Sequence, residues 1–249
     1  MRARAVAGAH NPAHPAPCTL HARHTPPAAR RPGGIILSHY SLDGAKHYAA
    51  HHDKSLRTRI TTWRERALLA NALRHIGGAE SVLDVPCGTG RFWPVLFGSG
   101  AREIIAADNS DGMLEVARTA WPGWADRLRL LNTSIFALDL PDGAVDVVSC
   151  MRFMHHLALP EDRARALSEL RRVCRRYVIA SLWVDGNLQS GRRLRHDARH
   201  PPTPGYGPRR CLPRAEFERE CVAAGLAIEA WFDVAPGWSM WRFYVLRKT

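Results

Sequence analysis

Between Ser81 and Trp183 short apolar runs alternate with segments of helical pattern, and no other feature of the chain narrows its fold so far. The runs are SVLDV (81–85), EIIAAD (103–108), LRLLNTS (128–134), VDVVSC (145–150) and YVIASLW (177–183). They are short and rich in Val, Ile and Leu, as strands covered on both faces are. A helix from about Gly90, one from Gly112 to Ala120 and one from Pro160 to about Arg175 separate them. In the last of these Leu167, Leu170 and Val173 face inward. Such alternation predicts a parallel sheet with helices on both sides.

Upstream, residues 43–76 read as helical, with Trp63, Ala67, Ala70 and Leu73 recurring at three- and four-residue spacing before Gly77-Gly78 stops the run. Downstream, 185–210 is polar and rich in Gly, Pro and Arg, and reads as an irregular loop or lid. A helix follows from Arg214 to Ala224. AIEAWFDV (227–234) and WRFYVLRK (241–248) then form a last strand pair, antiparallel because the link between them is short. The domain organisation is a disordered tail over 1–34 and one domain over 35–249. Within it, 35–77 is a helical cap and 185–213 a basic insertion. The tail holds six prolines, five arginines and no acid, and cannot bury enough surface to offset its ordering entropy. It also fits a transit peptide or an over-long start.

Net charge is +12, of which the tail carries five, leaving +7 for the rest. Residues 185–214 hold seven arginines against two aspartates. A solvated basic surface and an anionic substrate both explain this; aromatic residues do not interleave as on an RNA-stacking platform, so nucleic acid is the less favoured partner. The six cysteines form no C-x-x-C pair. They read as free thiols of a reducing, cytoplasmic compartment, with no disulfide frame and no metal site. No apolar run reaches the roughly eighteen residues of a membrane span.

At DVPCGTG (84–90) a strand ends on an acid and a glycine corner leads into a helix. Ligands of open parallel sheets sit beyond such strand ends. Gly88 and Gly90 allow close backbone approach, and the following helix offers its amides. Asp84 suits a cationic or hydroxyl-bearing ligand better than a phosphate. The spacing is neither the dinucleotide G-x-G-x-x-G nor a Walker loop. A second acid, Asp108, ends the next strand eighteen residues after Gly90. Its carboxylate can accept from two ribose hydroxyls, each charge-assisted bond contributing about 1.5–3 kcal/mol. At the third strand's end, Ser134 can read an adenine edge.

VLDVPCGTGRF, AADNSDGMLEVAR and LDLPDGAVDVVSCMRFMHHL together resemble class I S-adenosylmethionine-dependent methyltransferases, closest to the small-molecule branch of ubiquinone/menaquinone type. The resemblance implies an α/β, Rossmann-like sheet of seven strands in the order 3-2-1-4-5-7-6, with helices on both faces. It implies S-adenosyl-L-methionine as cofactor. Asp84, Pro86, Cys87 and Gly88 would surround its methionine part, with Gly90 beside them. Asp108 would take the ribose hydroxyls. Asn109 and Met113 would flank the adenine, Ser134 and Ile135 would border its other edge, and Cys150 and Met151 would face the sulfonium. Pro86 departs from the family's glycine and removes an amide donor; many relatives carry an acid at the Ser134 position. Tyr48 and Arg57 of the N-terminal segment are further cofactor candidates.

Methyl transfer from a sulfonium is an in-line displacement in which alignment alone can contribute about 7–11 kcal/mol. A hydroxyl acceptor can also need a base. His155 and His156 follow the fourth strand and are the candidates, each also readable as a packed structural histidine. Arg152 could steer an anionic substrate or pair with a local acid, and Tyr206 could line the acceptor site. The leading function is methyl transfer to a small molecule, anionic or lipid- or sugar-linked. RNA or protein as acceptor, and a non-catalytic cofactor-binding relative, stand as alternatives. A nicotinamide oxidoreductase is disfavoured by the glycine spacing.

Overall fold

The computed structural model describes residues 56–199 and 209–249, with side chains from Thr58. Tyr48, Tyr206, the tail 1–34 and the side chain of Arg57 lie outside the described residues, as does the cap before Leu56. The described elements are α1 (Leu56–His75), β1 (Ser81–Asp84), α2 (Trp93–Gly98), β2 (Glu103–Asp108), α3 (Asp111–Ala120), α4 (Pro122–Ala125), β3 (Arg129–Asn132), β4 (Val145–Met151), α5 (Pro160–Val173), β5 (Cys174–Trp183), α6 (Leu188–Arg199), α7 (Arg214–Ala223), β6 (Leu226–Asp233) and β7 (Trp241–Lys248).

The seven strands form one sheet in the order β3-β2-β1-β4-β5-β7-β6. β1 to β5 are mutually parallel, and β7 runs against both β5 and β6. This is the Rossmann-like arrangement expected from the resemblance.

The two-residue period of a strand sorts side chains into two layers. In β1, Val82 joins a core with Trp93, Leu96, Leu69 and Leu73, while Leu83 joins one with Leu167, Leu170, Phe217 and Tyr244. All four residues of β1 are buried, so this central strand needs apolar residues on both faces. Between α5 and α7 the buried Arg163 donates to Glu220 Oε2 at 2.8 Å and to the Leu157 carbonyl at 3.0 Å, and pairs with Glu216.

Four local readings are corrected. First, residues 188–199 are a helix, not an irregular loop. Its start is a reciprocal cap: the Ser190 amide donates to Asn187 Oδ1 at 2.8 Å and the Asn187 amide to Ser190 Oγ at 3.2 Å. This supplies the partners that the first helical amides lack. Second, the helix after the glycine corner starts at Trp93 rather than Gly90, because Gly90 holds φ +73°. Third, β3 stops at Asn132, where the Thr133 amide turns to the Asp108 carbonyl at 3.1 Å. Fourth, the buried stripe of α1 runs through Leu68, Leu69, Ala72, Leu73 and Ile76, while Trp63 is 66% exposed. An arginine-rich helix with scattered apolar residues does not reveal which stripe faces the sheet.

Candidate active site

β1, β2 and β4 all end at one edge of the sheet, and the predicted site residues are distributed around that edge. Asp84 and Asp108 sit on neighbouring strand tips, with Asp84 in register with Ala106. Asp84 is buried. Its Oδ1 accepts from Ser149 Oγ at 3.2 Å, and Oδ2 has no hydrogen-bond partner. Trp93 Nε1 lies near enough to favour the charge but completes no hydrogen bond. Desolvation is the main cause that lifts the Asp84 carboxyl to about 7, with Ser149 opposing and the charge of Asp108 adding to it.

Asp108 joins the two loops. Its Oδ2 accepts from the Gly88 amide at 2.9 Å and its Oδ1 from the Ser110 amide at 3.0 Å. Burial raises its carboxyl and these amides pull it back. The Asn109 amide also favours the charged form, and a carboxylate has about four acceptor sites in all. Gly88 takes φ +53° to aim its amide at Asp108, and a Cβ built on it would meet nothing within 4 Å. Gly90 differs: at φ +73° its Cβ would lie 2.8 Å from the Trp93 ring. Gly88 therefore leaves room beside the loop, while Gly90 is a packing glycine under Trp93 and Trp121.

A pocket opens beyond these tips. Asp108, Asn109, Pro86 and Ile135 of the predicted set line it, together with Val85, Thr133 and Phe153, which the sequence reading did not name. The Val85–Pro86 bond is cis. Thr133 differs from the predicted Ser134 by one position, because β3 is shorter than its apolar run suggested. Phe153 stands between residues that had drawn attention for their charge, and only its aromatic character could have marked it.

Asp84, Gly88, Gly90 and the remaining candidates do not line the pocket. Cys87 is buried in the loop, its thiol held well above its usual range by burial and then by Asp108 and Asp84. Met113 is buried in the first turn of α3, its amide held by Ser110 Oγ at 3.2 Å. The hydroxyl of Ser134 is used locally, accepting from the Phe136 amide at 3.3 Å. Cys150 and Met151 are buried in opposite core layers.

On the β4–β5 side, His155 is 1% exposed. It stacks on Trp183 at 4.8 Å and meets Trp241 edge-on at 5.0 Å. Burial pushes its pKa well down, and that of His156 falls to about 4 through burial, Arg209 and Arg152. Arg152, at φ +60°, donates to Glu65 Oε1 at 2.7 Å and lies 4.2 Å over the Trp241 ring. Glu65 is fully buried and also pairs with Arg91. This acid of α1 was absent from the sequence reading: its partners lie far away in the chain, and no local pattern signals the contact. Among the described residues no group of His, Cys, Asp or Glu could hold a metal ion.

The unpartnered oxygen of Asp84, the carboxylate of Asp108 and the space beside Gly88 suit a ligand with a cationic group and hydroxyls. The sheet order, with its helices, is the Rossmann-like architecture of class I methyltransferases.

Comparison with known proteins agrees. Residues 83–180 match a family model described as Methyltransferase domain. Demethylmenaquinone methyltransferase of Clavibacter sepedonicus is 33% identical over 108 residues, 43% of this chain and 42% of that protein. Ribosomal protein arginine N-methyltransferase rmt3 of Schizosaccharomyces pombe is 36% identical over 76 residues, 30% of this chain and 14% of that protein. The chain thus spans less than half the length of these curated relatives. Among solved structures, magnesium protoporphyrin IX methyltransferase from Synechocystis with bound S-adenosylhomocysteine aligns with a TM-score of 0.62 at 16% identity, covering 78% of this chain and 88% of that one. The Burkholderia thailandensis 1,6-didemethyltoxoflavin-N1-methyltransferase aligns with a TM-score of 0.61 at 17% identity, covering 82% and 87%. Residues 83–180 thus resemble a methyltransferase domain, and the solved methyltransferase structures share this fold.

Proposed function

We propose that this chain transfers a methyl group from S-adenosylmethionine to a small, anionic acceptor. The observation that carries the reading is Asp108, a buried carboxylate on the pocket wall, tied to the loops after β1 and β2 by one amide from each. In this reading Asp108 takes the ribose hydroxyls, and Thr133, Ile135 and Asn109 border the base. Asp84, whose Oδ2 is buried without a hydrogen-bond partner, lies on the side of the cationic end in this reading. The cofactor supplies an already activated methyl group, so the protein's task is alignment and exclusion of water.

The acceptor side is basic and aromatic. Arg152 lies over Trp241, and Arg193 and Arg209 lie 5.5 and 5.9 Å from Trp183. Of these, Arg152 is paired with Glu65 and Arg193 with Asp197, so Arg209 is the arginine on which this reading relies for an anion. Similarity to methyltransferases named for magnesium protoporphyrin IX, 1,6-didemethyltoxoflavin and demethylmenaquinone supports small-molecule size. His156, with a pKa of about 4, is a weak base at neutral pH. His155 is enclosed by two indoles, so both histidines shape the wall in this reading.

Incubation of the full chain with labelled S-adenosylmethionine and a cell extract tests the proposal. Label is expected in the small-molecule fraction. Label confined to RNA or protein would overturn the acceptor class. Tight cofactor binding with no transfer to any fraction would leave a cofactor-binding protein without this activity.

A further inference from the structure

The outward face of α6 carries side chains that methyl transfer does not use. Leu188, Arg192, Arg195 and Arg199 follow at four-, three- and four-residue spacing, which sets them along one stripe. All four are exposed. Arg193 points elsewhere and is occupied by Asp197 at 2.8 Å.

The helix is fixed to the turn between β6 and β7. The Leu188 amide donates to the Gly237 carbonyl and the Gln189 amide to the Trp238 carbonyl, both at 3.0 Å. Trp238 is 57% exposed and lies beside Arg192, whose guanidinium is 5.6 Å from the ring. Three arginines and two large apolar side chains, Leu188 and Trp238, therefore share one surface.

A solvated helix explains the arginines but not the outward Leu188 and Trp238. A nucleic acid would use the arginines and leave the leucine in water. A bilayer with anionic headgroups uses both kinds of residue: guanidinium on phosphate, and leucine and indole at the acyl boundary. Charge complementarity and the interleaved apolar residues select that partner.

Topology gives the surface a position. β6 runs with the parallel set, because it is antiparallel to β7 and β7 is antiparallel to β5. The β6–β7 turn and the start of α6 therefore lie at the edge where β1, β2 and β4 end, the edge that holds the pocket. No described helix is long and apolar enough to cross a membrane, so the contact would be peripheral.

The geometry points to an anionic lipid surface as the partner of this face, with α6 and Trp238 seating the mouth of the site against it. The inference does not depend on catalysis.

Co-sedimentation of the full chain with vesicles of phosphatidylcholine alone, or mixed with phosphatidylglycerol, is the test. Binding is expected to the mixed vesicles only and to weaken as salt is raised. Each neutralised arginine should cost about fivefold in partitioning, so R192Q/R195Q should lose about 25-fold. Trp238→Ala with Leu188→Ser should also weaken binding, with S-adenosylhomocysteine affinity unchanged in both variants. Equal binding to neutral and mixed vesicles, or none to either, would overturn the proposal. So would retention unaffected by these variants, which would place the contact elsewhere, for instance on the arginine-rich tail. Preference for a single-stranded RNA oligonucleotide over mixed vesicles, lost in R192Q/R195Q, would assign the face to nucleic acid instead.

Discussion

Asp84 shows how one buried side chain couples folding to binding. Its carboxyl lies at about 7 in the folded chain against 3.8 when unfolded, chiefly because of burial. Below about pH 4 both states are protonated and the burial of this group costs little. Between about pH 4 and 7 the unfolded chain releases the proton and the folded chain keeps it, so stability falls by up to about 1.4 kcal/mol per pH unit. Above about 7 both are ionised and the cost is constant. Asp84→Asn removes this contribution. Its stability relative to the parent should therefore grow from pH 4 to 7 and then level off, as measured by urea unfolding at several pH values. The same variant should bind S-adenosylmethionine more weakly above pH 7, where the parent presents a full negative charge. Asp84 and Asp108 were legible because each ends an apolar run. Ser149 was not, because a serine inside a strand of valines gives no sign that it faces a carboxyl across a strand pair.

At the scale of elements, the glycine corner gives a contrast. Gly88 and Gly90 both hold positive φ, but only Gly90 lies against aromatic rings. Gly88→Ala should cost about 1–2 kcal/mol of backbone strain. Gly90→Ala should cost at least about 1 kcal/mol more, since Trp93 and Trp121 must also move; paired thermal melts would show the difference. The α5–α7 clamp gives another. Arg163→Ala leaves Glu220 poorly solvated and should lower stability by about 3 kcal/mol, a fall of roughly 10 °C in thermal midpoint. A shift under about 2 °C would show that the clamp contributes little. Strand positions were readable because β1, β2, β4 and β5 are buried on both faces and so are continuously apolar. α6 was missed because its start is set by an Asn187–Ser190 cap, while the surrounding prolines, glycines and arginines suggested a loop. The Glu65 pairings were missed because they join α1 to residues 26 and 87 positions away, and such contacts leave no periodic trace.

Over the described part of the molecule, two groups of arginines stand apart. One group of arginines is structural. Arg163 ties α5 to α7, Arg242 grips Asp233 with bonds of 2.7 and 2.9 Å, and Arg175 spans Asp146, Ser81 and Gly143. Arg172 holds the carbonyls of Leu138 and Leu140. The other group faces outward on α6. Composition could count these residues but could not divide them, and that division separates a stabilising lattice from a binding face. The central claim is narrower: two acids on adjacent strand tips hold one adenosyl-sulfonium molecule. Calorimetric titration of the full chain and of Asp108→Ala with S-adenosylhomocysteine tests it most directly. The parent should bind, and Asp108→Ala should bind about 10- to 150-fold more weakly, the worth of one charge-assisted hydrogen bond. Equal affinity in the two proteins, or binding of NAD in place of the sulfur ligand, would contradict it.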